Sequence, residues 1–66
     1  MQLNKLKEKR EAAGMSQSAL AEQTGISVRV IQNYEQGTRQ LNGARAITVK
    51  RIANALGCQM EDLIEE

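Results

Sequence analysis

Arg29, Gln32 and Asn33 stand three and four residues apart in a stretch with helical periodicity, so their side chains share one helix face. Each ends in paired hydrogen-bonding atoms. A guanidinium can donate two parallel bonds to O6 and N7 of guanine. A side-chain amide can bond N6 and N7 of adenine, and Val28 beside them can touch a thymine methyl. The same four residues would also serve as an ordinary solvated helix face. Their meaning depends on the elements that hold them.

Other chemistry is scarce in this chain. Histidine is absent and Cys58 is the single cysteine. An internal disulfide is therefore impossible, and no cluster has zinc-ligand spacing. No nucleophile is placed with a base, which argues against an enzyme, a cofactor or a metal site. Tyr34 is the only aromatic residue and falls on a helix's inner face, leaving no stacking platform for single-stranded RNA. The N-terminal pattern is polar and charged, neither a signal peptide nor a membrane span.

The formal net charge is only +1, but it is unevenly spread. Residues 1–57 hold all nine Lys and Arg against four acids, and residues 58–66 hold four acids and no base. Between Gly25 and Arg51 five cations face one acid, Glu35. This can produce a basic face on a nearly neutral protein.

The elements follow from caps and periodicity. Sixty-six residues make one domain, whose small core buries about 60% of the unfolded surface. With 41% hydrophobic residues, almost all aliphatic, a helical bundle is expected over a sandwich or barrel. A first helix is expected from about Gln2 to Ala13, with Leu3, Leu6, Arg10 and Ala13 on one face. Ser16 caps a second helix ending at Thr24, and Met15 and Leu20 hold hydrophobic-staple positions. Ser27 caps a third, which buries Val30, Ile31 and Tyr34 and ends near Gln36. A loop leads to a fourth helix from about Ala44 to Leu56, starting at Asn42 or Gly43, with Val49, Ile52, Ala53 and Leu56 inside. A fifth, short helix is expected over Met60 to Ile64. Leu41, Ile47 and Leu63 are candidates for either core or dimer contact. Cys58 and Met60 read as packing residues.

The second and third helices, joined by a turn at Gly25 with small Ala21 at the crossing, have helix-turn-helix logic. In such a unit the later helix enters the major groove and the earlier one crosses the backbone. Arg10 is a charge on an apolar face, and Glu35 is the one acid in the basic stretch. They are expected to pair and fix the first helix against the third.

The run Met15-Ser16-Gln17-Ser18-Ala19-Leu20-Ala21-Glu22-Gln23-Thr24-Gly25-Ile26-Ser27 resembles the phage-repressor (Cro/CI, Xre-like) family. So do Ile31-Gln32-Asn33-Tyr34-Glu35-Gln36-Gly37-Thr38-Arg39, Ile52-Ala53-Asn54-Ala55-Leu56-Gly57 and Glu61-Asp62-Leu63-Ile64. The likeness runs in order over nearly the whole chain. It departs at Thr24, where an apolar residue is usual, and in the Thr38–Arg45 loop, which is longer and lacks the common proline.

The resemblance implies an all-α, compact five-helix lambda-repressor-like bundle, with residues 1–66 as one domain and the helix-turn-helix at about 17–36. It implies sequence-specific binding to double-stranded DNA by a cytoplasmic, bacterial or phage transcriptional regulator. That regulator would be a repressor, acting as a homodimer on an inverted repeat. Val28, Arg29, Gln32 and Asn33 would read bases. Gln17, Ser27, Gln36, Thr38 and Arg39 would meet phosphates, with the Gly37 N–H able to help. Arg45, Lys50 and Arg51 would be solvated charges or long-range contributors. No small-molecule effector, cofactor or membrane association is implied, and the chain would be a minimal regulator or an excised domain. The competing reading is a protein-interaction module, or an antitoxin-type partner, that keeps the fold. It predicts weak DNA binding with little salt dependence.

Overall fold

The structure, a computed structural model, describes residues 4–64. These form four α-helices and two single 3₁₀ turns, with no strand among the described residues. The helices are α1 (Lys5–Ala12), α2 (Gln17–Thr24), α3 (Val28–Gln36) and α4 (Ala46–Leu56). The 3₁₀ turns cover Leu41–Gly43, before α4, and Met60–Asp62, after it. A Cα radius of gyration of 10.3 Å is that of a tightly folded chain of this length.

Local chemistry explains most boundaries. The Asn4, Ser16 and Ser27 side chains accept backbone N–H bonds from Lys7, Ala19 and Val30, capping α1, α2 and α3. Each satisfies a donor that the first helical turn leaves without a partner. Gly25 ends α2 at φ 73°. A Cβ built there meets nothing within 4 Å, so backbone conformation, and not space, calls for glycine.

The core is one cluster: Leu6, Leu20, Ile31, Tyr34, Leu41, Val49, Ile52, Ala53 and Leu63. α2 packs on both α3 and α4, α1 lies against α3, and the last 3₁₀ turn closes on α4. Met15, Ala21, Ile26 and Cys58 pack against the cluster from its edge. Thr24 is buried. Its hydroxyl donates to the Leu20 carbonyl at 2.8 Å and accepts the Ile26 N–H at 3.3 Å. A polar residue is tolerated at this apolar position because both ends of its hydroxyl are satisfied internally.

Several expectations need correction. Among the described residues there are four α-helices, not five, because the last element is a 3₁₀ turn over Met60–Asp62. α4 begins at Ala46, not Ala44, and its cap is Arg45 rather than Asn42 or Gly43. The buried Leu41 anchors its own 3₁₀ turn, which takes up Asn42 and Gly43, and Ala44 is extended. α1 begins at Lys5, with Asn4 extended as its cap. Gln2 and Leu3, expected in this helix, lie outside the described residues. Ala13 follows the helix as its C-cap and is exposed. Val30 and Leu56 are half-buried, and Ile47 is 52% exposed and outside the core.

Candidate nucleic-acid interface

The three elements α2, the Gly25 turn and α3 set out the surface. Two consecutive helices each start at a serine cap, and a left-handed glycine separates them. Ile31 and Tyr34 turn inward from α3. Val28 and Arg29 are exposed on the other side, and Gln32 and Asn33 are half-exposed. Gln36, Thr38 and Arg39 are all exposed at the C-terminal end of α3 and in the loop beyond.

The flanking residues differ in what they have left to offer. The Ser27 hydroxyl accepts the Val30 N–H at 3.2 Å, so its own proton remains for an outside acceptor. The Thr38 hydroxyl donates to the Asn33 carbonyl at 3.2 Å, and the Arg39 N–H donates to the same oxygen at 3.2 Å. These bonds fold the loop back onto the end of α3. Thr38 would reach a phosphate oxygen only by turning its hydroxyl away from Asn33.

Beneath α3 lies an ion pair. Arg10 Nε donates to Glu35 Oε2 at 2.7 Å and Arg10 Nη2 to Glu35 Oε1 at 3.1 Å. The Arg10 Nη1 atom donates to the Met15 carbonyl at 2.8 Å. The side chains are 11% and 3% exposed, respectively. The hydrogen bond to Glu35 holds the Arg10 guanidinium above its ordinary pKa, against the opposing effect of burial. Asn4 adds a second tie between α1 and α3, its amide donating to the Tyr34 carbonyl at 3.0 Å.

The ion pair extends outward. Gln17 Nε2 donates to Glu35 Oε1 at 3.0 Å, and Gln32 Nε2 donates to Gln17 Oε1 at 3.3 Å. Thus Arg10, Glu35, Gln17 and Gln32 form one hydrogen-bonded chain from the interior to the face of α3. Sequence reasoning placed Gln17 and Gln32 in separate roles and missed their contact. They are fifteen residues apart, and nothing in helical periodicity joins them. Asn4 was missed as well, although an asparagine ahead of a polar helix is a cap signal.

Burial also shapes the electrostatics. Glu35 is the one acid between Gly25 and Arg51, and it is spent on Arg10. The cations Arg29, Arg39, Arg45, Lys50 and Arg51 are all exposed. This stretch therefore presents outward only positive charge. Among the described residues no group of His, Cys, Asp and Glu could hold a metal ion. No described helix is long and apolar enough to cross a membrane.

Comparison with known proteins agrees with this architecture. A family profile described as helix-turn-helix matches residues 6–63. The chain belongs to the helix-turn-helix family, of the Xre/Cro-like type. Two curated relatives are each called an uncharacterized HTH-type transcriptional regulator, one from Sinorhizobium medicae (strain WSM419) and one from Rhizobium meliloti (strain 1021). Each is 35% identical over 51 residues, covering 77% of this chain and 37% of the relative. The chain therefore spans little more than a third of the length of these relatives. No solved structure matches it significantly.

Proposed function

We propose that this chain is the duplex-DNA-reading module of a transcriptional regulator, with α3 lying in the major groove. The observation that carries the reading is the face of α3. It presents paired hydrogen-bonding groups outward on a helix-turn-helix, and the one acid of α3, Glu35, is buried against Arg10. Arg29 suits guanine, Asn33 and Gln32 suit adenine, and Val28 suits a thymine methyl. Gln17 and Ser27 at the starts of α2 and α3, with Gln36, Thr38 and Arg39 at the far end of α3, would hold the flanking phosphates. Such contacts set register and orientation. The names of the relatives, HTH-type transcriptional regulators, support the same reading.

The finer proposal is a cytoplasmic homodimeric repressor on an inverted repeat. Two copies would place their α3 helices about 34 Å apart, one DNA turn. Bound there, the dimer would block access to a promoter. Exposed Ile47 is an available apolar contact for a second copy.

The test is selection from a random duplex pool by the purified protein, repeated with Arg29→Ala. An enriched inverted repeat, blurred at one guanine by Arg29→Ala, is expected. A folded protein that enriches no sequence at low salt would instead favour a protein-interaction module.

A further inference from the structure

Gln32 carries one amide whose two ends differ chemically, and its direction decides which base it can match. That direction is dictated from inside the protein. A carboxylate only accepts hydrogen bonds. Glu35 is held in place by two bonds from Arg10, so Gln17 must turn its NH₂ toward Glu35 Oε1. The Gln17 oxygen then faces Gln32, which must answer with its own NH₂. Each step follows from donors meeting acceptors, and reversing any amide would set like groups together.

One N–H of Gln32 is consumed by Gln17. What remains is the side-chain oxygen and the second N–H, one acceptor and one donor. That pair complements the N6 donor and N7 acceptor of adenine, whereas guanine offers two acceptors, O6 and N7. Reversed, Gln32 would spend its oxygen on Gln17 and present two N–H groups, which suit guanine.

We infer that Glu35, clamped by Arg10, is a positioning residue that sets the direction of the Gln32 amide through Gln17 and so selects adenine over guanine at the base pair Gln32 meets. This rests on the DNA-reading function proposed above. Glu35 touches no base; it acts through the polarity of two amides. The buried ion pair thereby has a consequence for specificity as well as for the packing of α1 on α3.

The test uses the whole chain and its own selected duplex. The base pair read by Gln32 is first located as the position where Gln32→Ala abolishes preference. Competition between duplexes with adenine or guanine there then gives a ratio that cancels changes in overall affinity and folded fraction. Wild type is expected to favour adenine by about fivefold or more. Glu35→Gln removes the acceptor-only group, and the ratio is expected to fall toward one.

Gln17→Lys leaves the ion pair untouched and keeps the inference testable if Glu35→Gln does not fold. Its donor-only ammonium can satisfy Glu35 but must find the oxygen of Gln32, so the preference is expected to invert toward guanine. A selected duplex whose adenine preference survives both substitutions would overturn the relay and leave DNA reading intact. So would a located base that is not adenine. Failure of the wild type to select any duplex would overturn the DNA-reading function itself, and the relay with it.

Discussion

Replacing Arg10 with methionine tests how the helix-turn-helix is held to the rest of the domain. Methionine keeps the apolar stem and removes the guanidinium. Three hydrogen bonds go: two to Glu35 and one to the Met15 carbonyl. Met15 is half-buried, so its carbonyl can recover a bond to water. Glu35, with a side chain 3% exposed, cannot easily do so and keeps only the Gln17 N–H. Breaking a buried pair by removing one partner costs about 3–5 kcal/mol. A chain of this length has a total stability of about 3–10 kcal/mol. Arg10→Met should therefore remove a third or more of the stability and lower Tm by about 12 °C or more.

The companion variant Glu35→Leu leaves the Arg10 charge with only the neutral Met15 carbonyl, and the double variant leaves no charge stranded. The double variant should be more stable than the sum of the two single losses implies, by about 2 kcal/mol or more. That coupling is the signature of a buried pair whose members are more costly apart than absent together. The assay is urea unfolding followed by circular dichroism for the four proteins. A single-variant loss below about 1 kcal/mol, or a coupling near zero, would refute the reasoning, because exposed pairs behave in that way.

Three further outcomes follow from individual sites. Gly25→Ala forces a side chain into the left-handed region at φ 73° with open space around it. The loss should be the conformational cost alone, about 1–2 kcal/mol, measured by thermal melting; a neutral result would mean that the turn does not need positive φ. Arg39→Ala should weaken binding to the selected duplex without changing its sequence preference, and reduce the salt slope of log K by about one. A titration series in salt reads this, and an altered sequence preference would place Arg39 on a base instead. Burial first, and Asp62 second, push the Cys58 thiol above its ordinary pKa. Less thiolate exists at a given pH, so alkylation should lag behind that of a free cysteine peptide at neutral pH and catch up only as pH rises past the shifted value. Equal rates across the pH range would contradict this.

Local signals in the chain were enough to announce a helical domain with a helix-turn-helix. Ser16, Ser27, Gly25 and Gly37 mark where α2 and α3 begin and end, because capping and left-handed turns are decided within a few residues. The inward positions Leu20, Ile31, Val49 and Ile52 follow from helical spacing, which needs no knowledge of the partner helix. The outward face of α3 could be read for the same reason. In the misread stretch, Leu41 to Arg45, the one residue of good capping type, Asn42, is taken up in the 3₁₀ turn of the buried Leu41, and α4 starts after Arg45 with no side-chain cap.

What only the tertiary structure decided is which polar groups meet. Arg10 and Glu35 stood out in the sequence as misplaced charges, but their bond geometry and burial require α1 and α3 to be packed. Thr24 looked like a departure until its hydroxyl was seen between the Leu20 carbonyl and the Ile26 N–H. The link from Glu35 through Gln17 to Gln32 has no trace in any local pattern. Hydrogen bonds between residues far apart in sequence depend on distance and direction in space, and those are set when the helices pack, not by the periodicity that made each helix.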